Sequence, residues 1–142
     1  MKIRQINQAP RTFLVVFDIG DEAASGLLEA ARAQGIRGAQ IAAIGAFSSA
    51  RVAFYNLATK VYEPIEISEQ VEVLSLLGNI SQLENGEIKV HVHCCVGKRD
   101  GSTAGGHLLE AHVNPTLEVV ITETAAMKRR VNEVVGLPLL EP

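Results

Sequence analysis

All four histidines of this 142-residue chain lie between positions 91 and 112. Two of them form the motif His91-Val92-His93, and a third ends the motif Gly105-Gly106-His107, fourteen residues further along. Alternate residues of a β-strand point to the same face, so His91 and His93 would present neighbouring imidazoles. Imidazole is the commonest metal ligand, and three of them leave one position open on a tetrahedral zinc ion. The pattern predicts a site for zinc or another divalent transition metal at His91, His93 and His107.

The histidine motif lies in an apolar segment, 88–98, that is bounded by the tight-turn dipeptides Asn85-Gly86 and Asp100-Gly101. One face of this predicted strand would present valines and Cys94, and the other would present Lys89, His91, His93 and Cys95. The second turn would return the chain, and the glycine pair would let His107 approach the strand closely. Cys95 needs no ligand role, because a small buried thiol packs like an apolar side chain. Hydrogen-bonded or solvent-facing histidines on a half-exposed sheet are the alternative interpretation.

Two carboxylates and one further histidine are candidates for roles beside such a metal. Glu72 and Glu118 each stand alone among apolar strand residues. Either one would be an exposed sheet-face carboxylate, or would orient a ligand histidine or act as general base toward bound water. They are therefore the candidate catalytic residues of a metal-dependent hydrolase or lyase. His112 precedes a turn-like stretch and is interpreted as a surface histidine.

The elements that must position these residues follow from composition and spacing. Hydrophobic residues make up 47% of the chain, aromatic residues only 4%, and tryptophan is absent, so the core is aliphatic and favours sheet. A helix is predicted over 22–34 with Asp21 as N-cap, while 125–142 is ambiguous. Strands are predicted over 12–18, 39–44, 50–55, 60–67, 71–80, 88–98 and 116–122. The expected architecture is one α+β domain over 1–142, a largely antiparallel sheet with one clear helix near the N-terminus.

Charge and composition exclude several function classes. The net charge is −3, and the densest basic run, Lys128-Arg129-Arg130, is typical of a solvated edge, so direct nucleic-acid binding is disfavoured. The first apolar run, 13–17, is too short to span a bilayer. No glycine-rich phosphate loop occurs, which disfavours a nucleotide cofactor. Adjacent Cys94 and Cys95 fit a reducing compartment, and the expectation is a soluble, cytoplasmic protein.

Several motifs in one order and spacing resemble the plants-and-prokaryotes conserved (PPC) domain, in its stand-alone prokaryotic form without an AT-hook. They are the segments 71–80, 91–93, 100–101, 105–108 and 118–121. The resemblance implies an α/β-type fold with a mainly antiparallel sheet, assembly as a homotrimer, and zinc at the histidines matching His91, His93 and His107. It also implies that Glu72 matches an acidic family position and that the C-terminal residues form strand-like segments.

The chain departs from the plant members of that family in two ways. Plant members have Gly-Arg-Phe before the motif glutamate, a segment implicated in contacts with transcription factors, and here the matching positions are Glu69-Gln70-Val71. The Arg-Gly-Arg-Pro core of an AT-hook is absent from the sequence. The first hypothesis is therefore a homotrimeric metal-binding module of unassigned activity. A DNA-associated or regulatory protein acting through protein partners is the second, and the metal-dependent hydrolase or lyase is the third.

Overall fold

The computed structural model describes all 142 residues, Met1 to Pro142. It contains nine β-strands and one α-helix. Their bounds in chain order are β1 Lys2–Gln8, β2 Arg11–Phe17, α1 Ala23–Ala33, β3 Ala39–Asn56, β4 Val61–Ile67, β5 Val71–Gln82, β6 Ile88–Gly97, β7 Thr103–Glu123, β8 Lys128–Asn132 and β9 Leu137–Glu141. The helix has 11 residues and is neither long nor apolar enough to cross a membrane.

The predicted α+β class is wrong, because the chain is mostly β-sheet. Strands make up 65% of the residues and helix only 8%, and the one short helix follows two strands. Segments without a clear apolar pattern, β1 and the first half of β7, form strands by pairing with β2 and β6, their neighbours along the chain, which satisfy their backbone groups. The strands predicted over 39–44 and 50–55 are a single strand, β3, which continues through β-bulges on either side of Gly45.

The strands pair antiparallel in the order β1, β2, β7, β3 and β5, and β4 is added to the second half of β3. β6 pairs with β5 along one side and with the start of β7 along the other. Because β7 also pairs with β3 and β3 with β5, the pairings β3–β5–β6–β7 return to their starting strand. The strand that contains His91 and His93 is therefore hydrogen-bonded on both sides, which fixes its register.

The core lies between the sheet and α1 and is aliphatic apart from three phenylalanines, Phe13, Phe17 and Phe47. The helix buries Leu27 and three alanines against it. Its N-cap is Glu22 rather than the predicted Asp21, because the Glu22 carboxylate accepts hydrogen bonds from the backbone N–H groups of the first helical turn. The Asp21 carboxylate instead forms an ion pair with the N-terminal amine.

The C-terminal residues form an antiparallel hairpin, β8–β9, as the family resemblance implied. The hairpin joins the main sheet through the parallel pairing of Gln82 with Lys128. Alternation along β8 leaves Lys128 and Arg130 exposed but turns Arg129 inward, where its residue is only 6% exposed. Through Arg129, which contacts His91, the hairpin adjoins the first half of β6 and the histidines.

Candidate metal centre

β6 presents His91 and His93 on one face, as the alternation predicted. Its other face is core: Val92 and Cys94 are 4% exposed and Val96 is fully buried. The two flanking turns also form as predicted, each with its glycine, Gly86 and Gly101, at a φ of 84°. A positive φ of this size is favourable only for glycine, so these two residues fix where β6 begins and ends.

His107 reaches this face because the two glycines before it let three strands approach closely. The register places His107 directly opposite His93 on β6 and opposite Ala53 on β3. A Cβ atom at Gly105 would lie 2.5 Å from the Cys94 carbonyl oxygen, and one at Gly106 would lie 2.6 Å from the Ala53 carbonyl oxygen. Any side chain at either glycine would therefore push the His107 strand away from β6 or β3.

The three imidazoles form a compact cluster. Their ring centroids are 5.1 Å apart for His91–His93, 5.1 Å for His91–His107 and 5.4 Å for His93–His107. One ring nitrogen from each lies within 4.8 Å of the other two. The Nε2 atoms of His91 and His93 are 3.2 Å apart, close to the roughly 3.3 Å that two Zn–N bonds of 2.0–2.1 Å subtend at a tetrahedral ion. The three histidines are thus close enough together to hold one metal ion.

Burial keeps two of these imidazoles neutral and ready to donate a lone pair. It lowers the pKa of His91 to about 4, assisted by the Arg129 charge. It lowers the pKa of His107 to about 4 as well, with smaller contributions from the other two histidines. The Nδ1 atom of His107 is buried without a hydrogen-bond partner. A buried ring nitrogen without a partner is unfavourable, and a coordinated ion would supply that partner.

The other side of His91 is occupied by Arg129. Its Nη2 atom lies 3.1 Å from His91 Nδ1, and because a guanidinium only donates, Nδ1 must accept and carry no proton. Neutral His91 therefore has its proton on Nε2, where it is donated to His93 across the 3.2 Å contact. Metal ligation through Nε2 would move this proton to Nδ1 and break the bond from Arg129.

Comparison with known proteins places the chain in a family. The model of the Plants and Prokaryotes Conserved (PCC) domain, the family called PPC above, matches residues 4–125. The chain belongs to the PPC family. The resemblance inferred from the motifs is thereby confirmed, and the match ends before the β8–β9 hairpin. No curated protein matches the chain.

Three solved structures are similar over more than nine-tenths of the chain. A provisionally assigned DNA-binding protein from Bacteroides thetaiotaomicron has 30% identity and a TM-score of 0.92, over 99% of this chain and 96% of that one. A metal-containing protein from Archaeoglobus fulgidus has 33% identity and a TM-score of 0.85, over 99% and 97%. A PPC protein from Pyrococcus horikoshii has 30% identity and a TM-score of 0.86, over 93% and 92%.

The remaining candidate residues of this PPC protein lie away from the histidines. Glu72 and Glu118 line one cleft with Ile44 and Leu74. Glu72 is five residues along β5 from Leu77, the partner of His93, which corresponds to about 16 Å at the rise of a strand. His112 contacts the Glu110 carboxylate at 3.2 Å on another part of β7. The structure does not bring these residues to the cluster, and the catalytic roles of the two glutamates stay predictions.

Two residues beside the cluster were missed by sequence reasoning. Arg129 was interpreted with its neighbours as part of a solvated edge, yet it is buried and donates to Ser81 Oγ, Asn79 Oδ1 and the Pro138 carbonyl, each at 2.8 Å. Tyr62 of β4 packs its ring on His107, with centroids 4.7 Å apart. In the sequence, only the alternation along β8 would have predicted that Arg129 points inward. No local pattern predicts the contact of Tyr62 with His107.

Proposed function

We propose that this PPC protein is a homotrimeric metal-binding module that binds one zinc ion per chain through His91, His93 and His107. The observation that supports it best is the 3.2 Å separation of two imidazole nitrogens facing a third histidine. A relative with 33% identity is described as metal-containing. Bound through three histidines, zinc supplies a Lewis acid with one free coordination position. The protein's own part is to hold the three imidazoles on paired strands, and its activity is unassigned.

The metal proposal is tested by elemental analysis of protein purified without chelator and then exposed to zinc. We expect about one zinc ion per chain in the wild type and in His112→Ala, whose imidazole lies outside the cluster. His91→Ala and His107→Ala should each retain much less zinc, since two imidazoles bind it weakly. Equal zinc content in all four proteins, or none in the wild type, contradicts the proposal.

Assembly into a trimer is supported by an apolar face on the outside of the sheet. Val120, Ala42 and Leu77 are successive register partners across β7, β3 and β5, and the next partner is His93. On this face Ile44 is 60% exposed, Leu77 55%, Leu74 53% and Val120 40%. Continuous apolar surface of this kind marks an interaction site. We take its occupant to be a second copy of the chain, which places the edge of each interface beside His93.

The assembly proposal is tested by light scattering coupled to size exclusion. We expect a mass three times the 15.2 kDa of the chain. Ile44→Asp places a charge on the apolar face and should release monomers. Leu57→Asp is the control, because Leu57 is 69% exposed in the turn between β3 and β4. A monomeric wild type, or dissociation by both variants alike, contradicts this part of the proposal.

A second candidate function is a DNA-associated or regulatory protein that acts through protein partners. It is favoured by the Bacteroides relative, which is described as a provisional DNA-binding protein. The net charge of −3 disfavours direct affinity for phosphates. A gel shift at low salt tests direct binding: a shift that disappears as salt rises would show direct affinity for DNA, and no shift would restrict this candidate to a role through protein partners.

A further inference from the structure

A small pocket adjoins the histidine cluster on the side of the C-terminal hairpin. Its volume is about 120 Å³. Its lining is polar at Tyr62, Lys89 and Arg129 beside His91 and His107, and apolar at residues 137–139 of β9. Lys89 precedes His91 by two residues on β6, so both side chains lie on the same face. The pocket thus opens onto the proposed ligands.

The pocket has two cations and no carboxylate. None of the ion pairs of the protein involves Lys89 or Arg129, and the hydrogen bonds of Arg129 all go to neutral acceptors. A buried charge without a counterion is unfavourable. A bound zinc ion would add two more positive charges beside them. The electrostatics of the pocket therefore favour a negatively charged occupant.

Hydrogen-bond donors are available for that occupant. A guanidinium has five N–H groups, and Arg129 uses four of them, leaving one on Nη1 free. Lys89 is half-buried in β6, and its ammonium makes no hydrogen bond. Beside these donors, residues 137–139 line the pocket with leucine and proline.

The size of the pocket limits what can enter. Its volume of about 120 Å³ equals the share of roughly four water molecules in the liquid. Pockets for nucleotides and drug-sized ligands are several times larger. A ligand of about six non-hydrogen atoms, charged at one end and apolar at the other, matches the volume of the pocket and its mixed polar and apolar lining.

We infer that this pocket binds a short-chain carboxylate, with its carboxylate at Lys89 and Arg129 and its aliphatic part against residues 137–139 of β9. The inference deepens the proposed function, because it names the class of ligand that lies next to the metal ligands. It does not require the metal for binding, since the charges that recognise the carboxylate belong to the chain itself. It assigns a function to the C-terminal hairpin, which lies beyond the part of the chain matched by the family model.

The experiment is a calorimetric titration of butyrate into the metal-free protein, repeated after zinc loading, at constant ionic strength. Butyramide has the same shape without the charge and serves as the ligand control. Lys89→Gln removes the free ammonium, and Lys128→Gln removes the same charge from the exposed face of β8. Thermal melts of both variants establish that they fold, and zinc content is measured on each sample.

We expect butyrate to bind one per chain and at least tenfold more tightly than butyramide. Lys89→Gln should weaken butyrate about tenfold, the contribution of one charge-assisted hydrogen bond, while Lys128→Gln should leave it unchanged. Equal binding of butyrate and butyramide, equal effects of the two variants, or binding of inorganic phosphate but not butyrate overturns the inference. Zinc content without butyrate binding counts against this inference alone, and butyrate binding without zinc counts against the metal proposal alone.

Discussion

Replacing Arg129 by glutamine should strengthen zinc binding. In the metal-free protein the Arg129 guanidinium donates to His91 Nδ1 at 3.1 Å, so the proton of His91 lies on Nε2, the nitrogen that faces His93. Zinc would bind through the lone pair of Nε2, so the proton of His91 would have to move to Nδ1. There the N–H would face the Arg129 guanidinium, which cannot accept a hydrogen bond. Arg129→Gln removes that conflict and one positive charge beside the ion.

The size of the effect follows from the bond that zinc must break. A hydrogen bond from a charged group contributes about 1.5–3 kcal/mol, which corresponds to roughly ten- to a hundredfold in zinc affinity. The same substitution removes the bonds from Arg129 to Ser81, Asn79 and Pro138. Losing this buried network should lower the free energy of unfolding by about 2–4 kcal/mol. The protein should thus bind zinc more tightly while becoming less stable.

The assay is competition for zinc with a chromophoric chelator at pH 7.5, accompanied by urea unfolding of the metal-free proteins. Lys128→Gln is the control, because Lys128 is next to Arg129 in sequence but points to solvent. It should leave both the zinc affinity and the free energy of unfolding nearly unchanged. Zinc affinity that is unchanged or weaker in a folded Arg129→Gln protein would refute the reasoning about the His91 tautomer.

Three further outcomes follow from the same geometry. Gly78→Ala should weaken zinc binding and lower the free energy of unfolding by about 1–3 kcal/mol. The added Cβ would lie 2.7 Å from Val92 Cα and against the His91 carbonyl oxygen. Unchanged competition with the chelator would contradict this. The pKa of His91 and of His107 is lowered to about 4 from 6.5, so the unfolded chain binds more protons between these values. The metal-free protein should therefore lose stability as pH falls from about 6.5 to about 4, and His91→Gln/His107→Gln should lose less; identical urea midpoints across pH in both would count against it. Zinc at a hundred times its dissociation constant should stabilise the wild type by about 2.7 kcal/mol, seen as a higher melting temperature that His93→Ala does not show.

The sequence was sufficient to predict the strand that presents the histidines. Alternation over β6 is a local pattern, and the glycines of its two turns fix its ends, so the shared face of His91 and His93 follows without the rest of the fold. The return of Gly105-Gly106-His107 was also predictable, because a tight turn at residues 100–101 leaves the chain only one adjacent path. These features depend on neighbours close in sequence.

The fold class was not predictable in the same way, because the missed strands have little apolar pattern of their own and form only by pairing with other strands. β1 is almost wholly exposed and polar, and only its pairing with β2 makes it a strand. The first half of β7 contains two glycines, which weaken a strand unless close approach to β6 and β3 requires them. Propensity assigns such segments to loops, so sheet content was underestimated and an α+β class was expected.

Arg129 shows that a run of charged residues can contain both buried and exposed side chains. In Lys128-Arg129-Arg130 the three cations are equivalent by composition, yet the hairpin pairing of β8 with β9 buries one and exposes two. Its burial is favourable only because Ser81, Asn79 and Pro138 accept its hydrogen bonds. None of these partners is near it in sequence except Pro138, so its contact with His91 is visible only in the folded chain.

The central claim is that three imidazoles of one chain bind the metal, and X-ray absorption at the zinc edge tests it most directly. For protein loaded with one equivalent of zinc, we expect three imidazole nitrogens at about 2.0–2.1 Å and one further light atom. Loss of an imidazole contribution in His107→Ala would agree with this ligand set. A sulfur scatterer at about 2.3 Å, which would place Cys95 on the metal, or a spectrum identical to that of zinc in buffer would contradict it.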